Sequence, residues 1–129
     1  MLKKLLVSIL ASLITLSGHA QEPAFPNKTV TIFVPFGPGG GNDNIARILA
    51  KELSTVWKES VVVANRPGAG TIIGSNALLA APADGHHMIV NSALFGLGPT
   101  YAPGVQPEWK WDKDFTPVAL LAVQPPYIV

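Results

Sequence analysis

A glycine-rich turn is the part of this chain best suited to chemistry. Residues 29–34 are almost wholly apolar or β-branched, residues 37–41 include four glycines, and a helical pattern begins near Asn44. Such a turn exposes backbone N–H groups, and the helix behind it adds roughly +0.5 charge at its N-terminus. The pattern predicts a site for a small anion. The alternative is a tight turn that needs glycine only for its geometry.

The glycine turn does not fit the two common phosphate motifs. A dinucleotide fingerprint that starts at Gly37 needs a glycine where Asn42 stands. A P-loop needs Gly-Lys-Ser/Thr before the helix, and the first lysine after the turn is Lys51. These mismatches disfavour the phosphates of nucleotides and leave carboxylate binding open.

Asp43 places a negative charge in the first turn of the predicted helix. A carboxylate there commonly caps the helix or pairs with its dipole. An anionic ligand would have to share the site with this charge. We therefore expect the oxygens of Asp43 either to turn inward to backbone amides or to accept from a hydroxyl or ammonium group of the ligand.

The other candidate groups give no case for catalysis, a metal or a cofactor. His86 and His87 are adjacent, and neighbouring strand residues point to opposite faces, so they cannot share one ion. The chain has no cysteine, no Gly-x-Ser-x-Gly elbow, and no Ser/His/Asp order or carboxylate pair at a usable spacing. Trp109 and Trp111 could stack on a sugar or aromatic ring, although such residues more often cover the edge of a core.

Three predicted strands must position these groups. The apolar runs at residues 29–34, 61–63 and 88–90 are typical of buried strands. Apolar residues spaced by three and four predict a helix over residues 44–57, and a weaker pattern predicts one over residues 72–81. This β-α-β order implies parallel strands, whose carboxyl ends lie at one edge where ligands bind. The turns after the three strands are therefore expected to converge.

The first twenty residues match a secretory signal peptide. Lys3 and Lys4 precede an apolar run over residues 5–16, and small residues at Gly18 and Ala20 mark a cleavage site. Removing these 20 of 129 residues leaves 109, with seven basic and eight acidic side chains. No basic patch then points to nucleic acid or an anionic membrane. A periplasmic protein fits these features.

The end of the chain suggests an incomplete domain. Residues 117–123 form a strand-like apolar run, and a further apolar segment begins at residue 127. About 109 residues suffice for one small domain, but the last apolar segment has no polar residues after it. We expect a truncated or partial sequence; a true terminal edge strand is the alternative.

Several motifs, in order, resemble those of the substrate-binding proteins of tripartite tricarboxylate transporters, the Bug family of periplasmic solute receptors. They cover nearly the whole mature chain: Val34-Pro35-Phe36, then Pro38-Gly39-Gly40 with Asp43 and Ala46-Arg47, then Asn65-Arg66-Pro67-Gly68-Ala69-Gly70 with Gly74, then Ala81-Pro82 with Asp84-Gly85, and Asp114-Phe115 with Pro117-Val118.

The resemblance implies an α/β fold of the periplasmic binding protein type II class, a two-lobed Venus flytrap. Residues 21–129 would be only the N-terminal part of its first lobe, with the second lobe absent. A small carboxylate would be held between the lobes and delivered to the membrane components of the transporter. The full-length form would be a monomer. The carried-over ligand-binding residues are Phe36, Gly39, Gly40, Asn42, Asp43, Gly70 and Ser92.

Two other classes of function compete with a solute receptor. One is an inactive truncated gene product or a small exported α/β domain that binds no ligand. The other is an exported α/β enzyme that uses the glycine turn as an oxyanion site, for which the chain offers no nucleophile on an elbow turn. The identity of the carboxylate is not predicted, because the second lobe would supply half of the contacts.

Overall fold

The structure, a computed structural model, describes residues 24–92 and 107–123. The predicted signal segment, residues 93–106 and the last six residues lie outside these ranges. The elements in chain order are β1 (Val30–Val34), α1 (Gly41–Trp57), β2 (Val61–Asn65), a 3-10 turn (Ala69–Thr71), α2 (Ile72–Leu79), β3 (His87–Ile89) and α3 (Trp111–Asp114).

The three strands form one parallel sheet in the order β2-β1-β3. β1 is central: Val30 pairs with Val61, and Val34 pairs with Asn65 at the other end. On the opposite side Ile32 pairs with Met88 of β3. The predicted parallel β-α-β unit is therefore confirmed, and the carboxyl ends of all three strands lie at one edge.

The core lies around β1. Val30, Ile32 and Val34 are completely buried, as expected for a strand that neighbours cover on both sides. α1 packs against this strand through two small residues, Ala46 and Ala50, in a cluster with Ile32 and Val34. Each buried valine or isoleucine contributes on the order of 1.5–3 kcal/mol of hydrophobic stabilisation. The central strand thereby provides a firm base for the turn that follows it.

The buried face of α1 differs from the predicted apolar stripe. Ile48 is 64% exposed and Val56 is 72% exposed, although both belong to that stripe. The helix instead faces the sheet through Asp43, Ala46 and Ala50, which recur at spacings of three and four. Small side chains let the helix approach the sheet closely. The pattern of large apolar residues therefore predicted burial wrongly at Ile48 and Val56.

Element boundaries differ slightly from the prediction. α1 begins at Gly41, three residues before the predicted start, because the Asn44 N–H already donates to the Gly40 carbonyl oxygen at 2.9 Å. β2 continues to Asn65, where the N–H of Arg66 donates to the Val34 carbonyl oxygen at 2.8 Å. α2 ends at Leu79, two residues before the predicted end. None of the helices within residues 24–92 and 107–123 has the length and hydropathy of a membrane span.

The prediction of a strand over residues 117–123 is wrong. The segment forms no strand, and Val118, Leu120 and Val123 are each at least 80% exposed. A β-strand needs a paired neighbour for its backbone groups, and this segment is not part of the sheet.

Candidate functional site

All seven predicted ligand-binding residues lie at the carboxyl edge of the sheet. Phe36, Gly39 and Gly40 follow β1, and Asn42 and Asp43 form the first turn of α1. Gly70 follows β2, and Ser92 follows β3, where its N–H donates to the side chain of Asn91 at 2.9 Å. Hydrogen bonds join Gly39 to Asp43 directly, and Phe36 to Asp43 through the side chain of Asn65.

The glycine turn, residues 37–41, presents an open backbone surface. Its residues are all exposed. A Cβ added to Gly37, Gly39 or Gly41 would meet nothing within 4 Å, and one added to Gly40 would lie 3.8 Å from the nearest atom. Only Gly39 has a left-handed φ, +85°, which itself favours glycine. Neither internal packing nor a left-handed φ therefore requires glycine at the other three positions.

Asp43 is the centre of a small polar cluster. Its carboxylate is 2% exposed and accepts three hydrogen bonds. Oδ2 accepts from the Gly39 N–H at 2.8 Å and from Arg47 Nε at 2.9 Å, while Oδ1 accepts from Asn65 Nδ2 at 2.9 Å. We call Asp43, Arg47 and Asn65 the edge clamp, because they join the first turn of α1 to the end of β2.

The edge clamp keeps Asp43 ionised. The hydrogen bond from Arg47 is the largest cause that holds the pKa of this carboxyl well below its ordinary value, followed by the bonds from Gly39 and Asn65. Of the two orientations expected from the sequence, the inward one is observed. The negative charge of Asp43, which would repel an anionic ligand, therefore faces the protein interior and pairs with the guanidinium of Arg47.

The second turn, between β2 and α2, is strained. Four successive residues have left-handed φ values: Gly68 at 128°, Ala69 at 46°, Gly70 at 59° and Thr71 at 83°. Such a conformation is unusual for alanine and most unusual for β-branched threonine. Strained backbone of this kind concentrates at ligand clamps and active sites.

Thr71 is a candidate residue that the sequence did not reveal. Its Oγ1 is buried and has no hydrogen-bond partner among the described residues, although most buried hydroxyls have one. Its carbonyl oxygen accepts from Ser75 Oγ at 2.9 Å, within the first turn of α2. A threonine between glycine and isoleucine carries no signal that predicts a left-handed backbone.

The first and second turns are packed tightly together. A Cβ on Gly74 of α2 would lie 2.7 Å from Cβ of Pro35 and 3.0 Å from the carbonyl oxygen of Arg66. Glycine is therefore required at this position, because any side chain would push α2 away from the segment that follows β1. This contact packs α2 directly against the segment that follows β1.

The two histidines lie away from this edge, at the start of β3. Nδ1 of His86 lies 3.2 Å from a carboxylate oxygen of Asp84, and the same oxygen lies 3.7 Å from Nδ1 of His87. Phe25 packs on the ring of His86 at a centroid distance of 4.9 Å. The described part of the chain contains no cluster of three or more residues able to hold a metal ion.

The tryptophans contribute to a separate surface. Nε1 of Trp109 donates to Asn76 Oδ1 at 2.8 Å, and its ring packs edge-on against Phe115 at 5.2 Å. These contacts border a groove of about 700 Å³ against α2. Trp111 is 60% exposed.

Known proteins resemble the chain closely. The UPF0065 protein in the tcbD-tcbE intergenic region of Pseudomonas sp. strain P51 is 40% identical over 128 residues, which are 98% of this chain and 38% of that protein. BugT of Bordetella pertussis is 32% identical over 129 residues, 96% of this chain and 39% of BugT. The chain belongs to the Bug family. No family model matches it.

A solved structure resembles the chain over three quarters of its length. MatC from Rhodopseudomonas palustris, solved with bound malate, is 37% identical with a TM-score of 0.66, over 75% of this chain and 33% of MatC. The periplasmic binding protein BugD is 40% identical over 50% of this chain and 22% of BugD, with a TM-score of 0.48. From the match to MatC, the chain has the α/β fold of the periplasmic binding proteins and forms part of their N-terminal lobe. It spans about 38% of the length of its curated relatives.

Proposed function

We propose that the full-length protein is a periplasmic solute receptor that binds a small carboxylate at the carboxyl edge of the sheet. It delivers this solute to the membrane components of a tripartite tricarboxylate transporter. The observation that carries the proposal is the glycine turn, whose exposed backbone precedes the 17-residue helix α1. The malate bound to the related MatC supports a carboxylate as the ligand.

The chemistry of recognition rests on backbone amides. A helix N-terminus leaves unpaired N–H groups that aim at an anion, and the helix dipole favours negative charge there. At Gly37, Gly40 and Gly41, glycine is needed for neither packing nor a left-handed φ, so their bare backbone suits close approach of a ligand. Because Arg47 pairs with Asp43, the one buried acidic group of the edge repels the ligand less.

Neighbouring turns complete one wall of the site. Gly70 lies in the strained second turn, and Ser92 follows the third strand, so both flank the glycine turn. Thr71, whose buried Oγ1 has no partner among the described residues, lies in the same turn as Gly70. Phe36, which is half-buried beside the core cluster, supplies an apolar border to the site.

The remainder of the receptor supplies the opposite wall. The chain spans about two fifths of the length of its curated relatives, and in this proposal a second lobe of the full-length receptor closes over the solute. Within the chain, residues 1–20 act as the export signal and residues 21–129 form part of the first lobe. Closure between lobes removes water from the amides and strengthens their hydrogen bonds to the carboxylate. The full-length receptor acts as a monomer.

Calorimetric titration of the full-length protein with malate tests this function. Gly40→Val adds a side chain where the ligand meets backbone, and the nearest internal atom to its Cβ is 3.8 Å away. We expect at least tenfold weaker malate binding with little change in folding, since valine in place of glycine at this helix N-cap costs only about 1 kcal/mol. Ala83→Val, an exposed change at the opposite edge, is the matched control and keeps wild-type affinity.

The same titration separates the alternatives. Equal affinity in the Gly40→Val and wild-type proteins would place the site elsewhere. If the folded wild-type protein binds neither malate nor another small carboxylate, the alternative of a gene product that binds no ligand is favoured instead.

A further inference from the structure

We propose that Asn65 positions the glycine turn and thereby sets the affinity for the ligand without touching it. The proposal rests on the proposed function, because it assigns Asn65 a role at that site. Its basis is the way one side-chain amide joins three separate parts of the carboxyl edge.

Asn65 is the last residue of β2 and pairs in register with Val34, the last residue of β1. Its Nδ2 donates to the carbonyl oxygen of Phe36 at 3.1 Å and to Asp43 Oδ1 at 2.9 Å. Its Oδ1 accepts from Arg47 Nη2 at 3.3 Å. The amide therefore connects the end of β2, the segment leaving β1 and the first two turns of α1.

The orientation of this amide is fixed by its partners. Nδ2 faces two acceptors, a carbonyl and a carboxylate, whereas Oδ1 faces a guanidinium donor. A flipped amide would place its oxygen against the Phe36 carbonyl and the Asp43 carboxylate, so only one orientation satisfies all three hydrogen bonds. Both N–H groups of Asn65 are used in these bonds, and the amide has no donor left for a ligand.

The amide acts on the glycine turn through Asp43. One carboxylate oxygen of Asp43 accepts from Asn65, and the other accepts from the N–H of Gly39 at 2.8 Å. Gly39 has the left-handed φ that bends the turn. The weaker contact between Asn44 Nδ2 and the Gly39 carbonyl oxygen, at 3.5 Å, is the other described side-chain bond to the turn. Loss of Asn65 therefore releases one side of Asp43 and, separately, the carbonyl of Phe36.

Asn65→Leu tests the role of the amide, because leucine has a similar size and no hydrogen-bonding groups. We expect malate to bind about tenfold more weakly, the size of effect expected when hydrogen bonds of part-buried groups are lost. Asn65→Ser, whose single hydroxyl can donate to only one of the two acceptors, is expected to give an intermediate loss. It also serves if the leucine variant fails to fold.

Ser54→Ala is the matched control. Ser54 Oγ accepts from the Val61 N–H at 3.0 Å and so also joins α1 to β2, but at the start of β2, opposite the proposed site. If Asn65 has only a structural role, Asn65→Leu and Ser54→Ala both lower the free energy of unfolding and neither weakens malate binding. If Asn65 positions the turn, the Asn65 variants weaken malate binding and Ser54→Ala does not, even where the loss of stability is the same.

Amide hydrogen exchange measured without ligand provides a readout that does not depend on malate. We expect the Gly39 N–H to exchange about tenfold faster in Asn65→Leu, since its bond to Asp43 is weakened, and to be unchanged in Ser54→Ala. Unchanged exchange of the Gly39 N–H, or malate affinity within twofold of wild type in a folded Asn65→Leu protein, overturns the proposal. If wild-type protein binds malate and folded Asn65→Leu binds it within twofold as tightly, the proposed function stands and the proposed role of Asn65 is wrong.

Discussion

At the scale of single residues, Asp43 presents the clearest question, since it places a negative charge beside a proposed anion site. Its oxygens turn inward to Gly39, Arg47 and Asn65. The sequence indicates part of this, because Arg47 follows Asp43 by four residues and such pairs meet on a helix. It does not indicate Asn65, which is 22 residues away and comes into contact only through strand pairing.

Asp43→Asn tests whether this residue contacts the ligand. An asparagine caps as well as aspartate, but it brings an N–H group to a place where three donors converge and loses the charge that pairs with Arg47. We expect several-fold weaker binding, with the same factor for malate and for succinate, which lacks the hydroxyl. A larger loss for malate than for succinate in titrations would show that Asp43 accepts from the ligand hydroxyl.

The lowered pKa of Asp43 predicts a dependence of stability on pH. A carboxyl whose pKa is lower in the folded state than its ordinary 3.8 stabilises the fold above that pH, and the contribution is lost as the pH falls below it. We expect the free energy of unfolding, measured in urea, to fall more steeply below pH 4 in the wild type than in Asp43→Asn. Glu52→Gln is the comparison, because it removes an exposed carboxyl of the same helix and leaves Asp43 intact. Identical slopes in the wild type and Asp43→Asn contradict this account.

At the scale of elements, local patterns predicted the three parallel strands and both main helices, because the periodicity of strands and helices can be recognised from residues that are close in the sequence. They did not predict which face of α1 is buried, since Ala46 and Ala50 pack closely while larger Ile48 stays exposed. The strained second turn was also beyond local reasoning. Its geometry depends on the close packing of α2 against Pro35, a contact between residues 39 positions apart.

Gly74→Ala tests the packing of α2 against the first turn. The added methyl group would lie 2.7 Å from Cβ of Pro35 and 2.9 Å from its Cα, so backbone must shift. We expect a loss of about 1–3 kcal/mol in the free energy of unfolding, the usual cost of overpacking. Gly41→Ala is the control, because its methyl group meets nothing within 4 Å and alanine favours a helix. Equal stability of the two variants contradicts the packing described for Gly74.

At the scale of the whole molecule, the segment over residues 117–123 is the feature least consistent with a self-contained domain. Val118, Leu120, Leu121 and Val123 are all exposed. A contiguous exposed apolar run commonly marks a surface that another part of a protein covers. β2 and β3 are also the edges of the described sheet, and unpaired edges recruit other chains.

We therefore expect the 109-residue chain that starts at Gln21 to fold poorly or aggregate when produced alone. Its exposed apolar run and sheet edges favour association. With only one wall of the cleft present, a bound carboxylate stays exposed to water, where its hydrogen bonds give little net gain in free energy. Sedimentation, urea unfolding and titration with malate measure these properties. A monomer with one cooperative transition and micromolar malate affinity contradicts this expectation.

A crystal structure of the full-length protein grown with malate tests the central claim most directly, because it locates the ligand. The account predicts a malate carboxylate within hydrogen-bonding distance of backbone N–H groups between Phe36 and Gly41, with Asp43 still bonded to Gly39, Arg47 and Asn65. Malate bound elsewhere, with the glycine turn facing only water, would contradict the assignment of this edge as the ligand site.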